Sequence, residues 1–376
     1  MSHLFRLSTG FLLGLLLLMA APTARAAIYC VTNVSDLQIA LNAAAASFND
    51  DEIKLKQGIY AVQQRLFYNS PNNGWLFISG GWIQDGENNC AQQVPAAANT
   101  VLTGSAMYPV LGLYFNPSTT PSAGPRYGLY NLSIRDGYGD SATFQRGGGV
   151  QMTALADVQT EFFLDNVIIA NNIGFFGGGA DLYVRRGLIR IVNSLFANNS
   201  SPTTAYGHFA ATSVSGNNPY GVLIANSSFV NGQCPGSGGR GCGIGVIVGG
   251  GQRLDIINSL FSGNAISDVN IEGAASGGFG NGTAFADHSL IGALSGTLPL
   301  SASNGLVGDP RFVDVPGQDF RLRDDSPFIN RGLGTIPVYG YPPADLAGNL
   351  RLRFGALDPG AYENQTWDFI FADGFQ

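Results

Sequence analysis

Asp165 and Asp181 are the carboxylates on which acid–base chemistry in this chain would have to rest. Cleavage of a glycosidic bond by hydrolysis needs two carboxyl groups about 5 to 9.5 Å apart. Asp157, Glu161 and Asp181 lie on segments that can approach Asp165. Beyond residue 26 only two histidines remain, His208 and His288, and there are four cysteines. If the cysteines are paired, no zinc ligand set can be assembled. Gly147-Gly148-Gly149, Gly177-Gly178-Gly179 and Gly249-Gly250-Gly251 lack the helix start and lysine that a phosphate cradle needs, and read as tight corners. Asp136-Gly137-Tyr138-Gly139-Asp140 has oxygens for calcium but reads as a solvated acidic turn. No catalytic residue, metal or cofactor is therefore assigned, and Asp165 with Asp181 stands as the catalytic alternative. Phe175, Phe176, Tyr183, Tyr206, Phe209 and Tyr220 fall in or near loops, where rings can stack on sugar faces or pack the loops down. Tyr206, His208 and Phe209 form the candidate substrate-binding group.

The elements that must position these residues come from a repeat. Leu129-Tyr130-Asn131-Leu132-Ser133-Ile134 recurs as Leu164–Ile169, Ile191–Phe196, Ile224–Phe229 and Ile256–Phe261. The asparagines, Asn131, Asn166, Asn193, Asn226 and Asn258, are spaced by 35, 27, 33 and 32 residues, the period of a solenoid. His288 holds that column in a degenerate sixth copy. Positions two before and three after the asparagine are always apolar, and the position just before it is mixed. Period two, with Ile, Val and Phe enrichment, selects strands over helices. The expected fold is all-β, a right-handed parallel β-helix solenoid with a short N-terminal capping helix. Asparagine tolerates a left-handed corner, and amides stacked at the spacing of neighbouring strands can bond as a ladder. Asp136, Asn171, Asn198, Asn231 and Gly263 form a second column of turn formers.

Composition and charge limit the partners. Hydrophobic residues are 45% and charged residues 12%, which excludes a disordered chain. Arg6, the apolar run Phe11 to Ala21 and Ala24-Arg25-Ala26 read as an export signal over residues 1–26. Two of the 19 basic residues fall in that signal, leaving 17 against 26 acidic ones and a formal charge of −9. Lysine occurs only at Lys54 and Lys56, so nucleic acid is an unfit partner. The mature chain has no apolar run long enough to span a membrane and is expected to be a monomer, secreted, at the cell surface or in the periplasm of a bacterium. In an oxidising space four cysteines read as two disulfides with three possible pairings. Cys30 with Cys90 and Cys234 with Cys242 are favoured, the second pair closing the loop Pro235 to Gly241.

The two ends complete the domain plan. Ser35 is expected to cap a helix through Ser47 with Leu37, Ala40, Leu41 and Ala44 inward, followed by the strand-like Glu52 to Tyr60. This start, continued by Ile78-Ser79-Gly80-Gly81-Trp82 and Cys90, resembles the opening of pectin-lyase-like β-helix proteins. Gly308-Asp309-Pro310-Arg311-Phe312, Asp319-Phe320-Arg321-Leu322, Asp325 to Gly332, Asp345-Leu346-Ala347-Gly348-Asn349 and Asp358-Pro359-Gly360-Ala361-Tyr362-Glu363 occur in order. That succession resembles the C-terminal section of the choice-of-anchor Q family of exported right-handed β-helix proteins. Phe328-Ile329-Asn330-Arg331 departs from the family's small apolar residue, Ile, Asp and Ala. Gly207-His208-Phe209 is similar to the Gly-His-Gly of polygalacturonases, without the clustered aspartates and Arg-x-Lys that accompany it there.

The plan is a signal (1–26), an N-terminal cap and first coil (27–60), parallel β-helix coils (61–303), a C-terminal section like that of the choice-of-anchor Q family (304–363) and a tail (364–376). The tail ending Ile370-Phe371-Ala372-Asp373-Gly374-Phe375 resembles a short ending found on assorted exported proteobacterial proteins. The expected function is an exported scaffold presenting a binding or adhesive surface toward polysaccharide or cell-surface glycan. A polysaccharide-degrading glycosidase or lyase is the alternative.

Overall fold

The column two before each repeat asparagine becomes the spine of the core. Ile53, Ile78, Leu129, Leu164, Ile191, Ile224, Ile256 and Ala286 are successive partners in parallel register, and all are buried. The computed structural model describes residues 26–83, 90–139, 145–202, 206–215, 220–235, 241–274, 278–336, 343–353 and 355–366. Residues 1–25 of the expected signal, the tail from residue 367 and Asp140 lie outside them.

Three parallel sheets enclose one core, each strand pairing with its counterpart one coil away. The first sheet runs from Ala27–Val31 through Asp51–Lys56 and Leu76–Ile83 to Thr283–Asp287 and Ser301–Ser303. A second includes Thr100–Thr103, Leu195–Ala197, Ser228–Val230 and Leu260–Ser262. The third includes Leu66–Ser70, Leu111–Phe115, Phe209–Ser215, Ile244–Val248 and Val269–Gly273. Val150–Ala170 bends through all three, with a register break between Ala154 and Gln159. Right-handed crossovers are the rule for parallel strands, and the chain is a right-handed parallel β-helix.

The corners explain the asparagines. Asn131, Asn166, Asn193, Asn226 and Asn258 have φ between 46° and 56°, and His288 has 46°. The left-handed region costs an ordinary L-residue about 1–2 kcal/mol, which asparagine relieves through its short polar side chain. Asp136, Asn171, Asn198, Asn231 and Gly263 turn the next corner in the same region. The amide ladder is partial. Asn166 Nδ2 donates to Asn131 Oδ1 at 2.5 Å and Asn193 Nδ2 to Asn166 Oδ1 at 2.8 Å. Asn226 makes no side-chain bond, and Asn258 exchanges bonds with the backbone of Leu333.

Serine carries the continuous ladder at this corner. Ser194, Ser227, Ser259 and Ser289 each donate Oγ to the carbonyl two residues earlier. Each Oγ also accepts a backbone N–H from the coil before. Inside, Phe196, Phe229 and Phe261 stack with centroids 4.9 and 4.7 Å apart.

The N-terminal helix differs from expectation in its cap. The helix is Val34–Ala46, capped by Asn33 rather than Ser35: Asn33 Oδ1 accepts the Asp36 N–H at 2.9 Å. Asn33 has the extended backbone a cap needs, and Ser35 lies within the first turn. Leu37, Ala40, Leu41 and Ala44 are inward.

The C-terminal section packs on the flank of the coils. It lies lengthwise against the coils, where Phe312, Phe320, Leu322, Phe328 and Leu346 cover Leu195, Val230, Leu260 and Leu290. Leu333 and Ile336 cover Val192, Leu223, Ala225 and Ile257. The apolar outward residues of the later coils supply the physical reason, since they need a cover as much as the core does. Within the section, Asp345, Asp358 and Glu363 accept backbone N–H groups, and buried Arg351 donates to the carbonyls of Asp358 and Gly360. These are the residues of the motifs Asp345–Asn349 and Asp358–Glu363.

Candidate functional site

Tyrosine rings lie flat on the outside of this solenoid where a glycine two residues earlier makes room. A Cβ at Gly128 would meet the Tyr130 ring at Cζ, 2.8 Å away, and one at Gly112 would meet Tyr114 Cε2 at 2.8 Å. The triplet Gly-Leu-Tyr occurs at both places. On the first sheet Tyr130 is 5.8 Å from Phe77 in an edge contact, and Phe77 is 6.1 Å from Trp75. Burial pushes the Tyr130 hydroxyl up to about 12, so it stays a neutral donor.

These rings border a cavity of about 570 Å³ lined by Phe77, Trp82 and Tyr130 together with Asp50, Glu52, Ser79 and Gln93. Lys54 Nζ lies 3.9 Å from the centre of the Trp82 ring and 3.7 Å from Glu52 Oε2. Trp82 Nε1 donates to Ser79 Oγ at 2.8 Å, which fixes the indole. Aromatic faces beside carboxylate and amide acceptors are the groups that hold a sugar: ring faces for its C–H surface, acceptors for its hydroxyls.

Sequence reasoning placed the binding group elsewhere, and the structure withdraws it from the surface. Tyr206 is 1% exposed, its ring over Gly245 and its hydroxyl donating to Asn270 Oδ1 at 2.9 Å. Phe209 lies in the core beside Phe196. His208 is wholly buried, Nδ1 3.2 Å from Asn199 Nδ2 and Nε2 2.8 Å from Asn264 Oδ1. Those partners fix the tautomer with the proton on Nε2. Desolvation lowers its pKa to about 3, so it is a neutral strut between Asn199 and Asn264.

The two aspartates do not form a pair. Asp181 stands opposite Gln151 in the third sheet and Asp165 opposite Val192 in the first. Asp165 meets Arg190 at 3.2 Å, Glu161 meets Arg126 at 2.8 Å, and Arg190 lies over the Phe163 ring. Asp181 meets Arg146 at 3.0 Å, and its carboxyl is pushed up to about 6 by burial, against the pull of Arg146 and Arg65. Beside it Arg65 Nη1 donates to the Tyr114 hydroxyl at 3.1 Å, which donates to Gln151 Oε1 at 2.8 Å. Phe67, 47% exposed, lies 5.1 Å from Tyr114.

Cys30–Cys90 and Cys234–Cys242 are the two disulfides. No helix among the described residues is long and apolar enough to cross a membrane.

No family model and no curated protein matches the chain. Among solved structures it is similar to a pectin methylesterase from Aspergillus niger in penultimately deglycosylated form, at 13% identity and a TM-score of 0.32, over 80% of this chain and 90% of that one. The deglycosylated form matches at 13% identity and a TM-score of 0.33, over 76% of this chain and 86% of that one. At that identity no residue role carries over.

Proposed function

We propose that this protein is an exported β-helix scaffold of the choice-of-anchor Q type that binds carbohydrate on the outward face of its N-terminal coils. The observation that carries this reading is the cavity where Phe77, Trp82 and Tyr130 meet Asp50, Glu52 and Gln93. Its carboxylates repel polyuronates and favour a neutral glycan. Export is supported by the two disulfides, which persist in oxidising compartments. The test is a glycan panel titrated against purified protein. Binding of a neutral oligosaccharide, weakened at least tenfold (about 1.4 kcal/mol) by Tyr130→Ala and by Trp82→Ala, is expected. Binding unchanged in both variants rejects this site.

A polysaccharide-degrading enzyme is the second reading, favoured by the Asp181 carboxyl, which burial pushes up to about 6 beside the Arg65–Tyr114–Gln151 chain. General acids are tuned to that range. Release of reducing ends or unsaturated sugars that Asp181→Asn abolishes would establish it in place of the scaffold.

A further inference from the structure

Asp51 is a carboxylate buried to 3% exposure at the start of the strand Asp51–Lys56. Buried charges are rarely left without a partner of opposite sign. The charged side chain that acts on Asp51 is Asp50, of the same sign, with Ser47 supplying a hydrogen bond. Its remaining partner is a backbone nitrogen: Ala27 N donates to Asp51 Oδ1 at 3.2 Å. The parallel register sets Ala27 directly opposite Asp51 at the edge of the first sheet. Tyr29, two residues on along the same strand, also feels the Asp51 charge. Ala26 is exposed, and the ordered strand begins one residue later, at Ala27. Ala24 and Ala26 are the small residues that a signal peptidase requires three and one positions before its cut.

We propose that the bond cut on export is Ala26–Ala27, and that the α-ammonium so created at Ala27 is the missing counter-ion of Asp51. Water adds across the amide: the C–N bond breaks, Ala26 leaves with a carboxylate, and Ala27 keeps an amine that takes a proton. An amide N–H gives Asp51 one hydrogen bond from a neutral donor. An ammonium at the same place adds a full opposite charge and further donors, so that both partners of the contact are ionised. The processed end then anchors the edge strand of the first sheet. Processing thereby tightens the N-terminal cap, in addition to releasing the chain from its signal.

Three measurements test this on the full exported chain. Intact mass and N-terminal sequencing are expected to give Ala27 as the first residue; any other start overturns the proposal. The Ala27 amine is expected to react with acetic anhydride at pH 7 at least tenfold more slowly than in Asp51→Asn, because an ion-paired ammonium holds its proton; equal rates overturn it. If Asp51→Asn does not fold, a protein beginning at Ala26 is compared with one beginning at Ala27. The chain beginning at Ala27 is expected to melt several degrees higher, and its advantage to vanish above pH 10, where the amine is neutral. Equal melting of the two at pH 7 overturns the proposal.

Discussion

His208 fills the space that Gly232 leaves open in the column of buried asparagines. A Cβ at Gly232 would come within 2.9 Å of the His208 ring at Cδ2. Asn172, Asn199 and Asn264 fill the equivalent place in their coils, Asn199 and Asn264 each bonding a carbonyl of the coil before. Gly232→Ala is therefore expected to destabilise by about 1–3 kcal/mol through overpacking. Thermal melting checks it, and an unchanged midpoint would mean that the ring and the Cys242 carbonyl, which the same Cβ would also meet, both give way.

The same histidine sets an acid limb. Above pH 6.5, its ordinary value, neither state binds the proton. Below it the unfolded chain takes a proton that the folded protein refuses until about 3, so stability falls across that window. His208→Gln is expected to flatten the fall in melting temperature between pH 6.5 and 4; a parallel curve would show that the ring titrates freely.

Glu363 has the opposite sign. Burial, with Asp358 beside it, pushes its carboxyl up from 4.5 to about 8, so the folded state keeps a proton the unfolded state has lost. Its contribution is full below pH 4.5 and is lost as pH climbs through about 8. Glu363→Gln is expected to remove part of that loss, measured by urea unfolding at pH 5 and pH 8.

Asn193 and Asn226 occupy the same column but not the same role. Asn193→Gly keeps the left-handed corner and loses the bonds to Asn166 and to Ala344, at a cost of about 1–2 kcal/mol. Asn226→Gly removes a buried side chain that makes no hydrogen bond and is expected to cost less than Asn193→Gly. No loss in either variant would mean that the corner, which glycine keeps, is what each residue supplies.

The disulfides differ in the loop they close, 60 residues for Cys30–Cys90 and 8 for Cys234–Cys242. Chain entropy assigns roughly 4 kcal/mol to the first and roughly 2.5 to the second. Cys30→Ser with Cys90→Ser is thus expected to lower the melting temperature more than Cys234→Ser with Cys242→Ser. The native protein should show no reactive thiol in denaturant.

The solenoid was legible because its signal is additive: Leu164, Ile191, Ile224 and Ile256 repeat one choice, and each strand stacks on its own copy. Asn131 to Asn258 marked a corner for the same reason. The site was not legible, because it depends on which outward residues stay uncovered. Tyr206 and Phe209 belong to a sheet face and core that the loops and coils enclose, and His208 answers a gap 24 residues away. Leu333 and Ile336 close the later part of the first sheet, a contact across coils that no local period encodes. Only the paired Gly-Leu-Tyr triplets at Gly112 and Gly128 could have announced the half-buried outward rings.

A stack of coils held by nearest neighbours alone melts from its ends, since each unit can peel away without disturbing the next but one. The lengthwise C-terminal section ties Asn193 to Ala344 and Asn258 to Leu333, across 151 and 75 residues. It acts as a splint, so that fraying of one turn must first detach a strap shared by several. Unfolding of the later coils then becomes a single concerted event. Refolding becomes slow, because the splint has nothing to grip until those coils already exist.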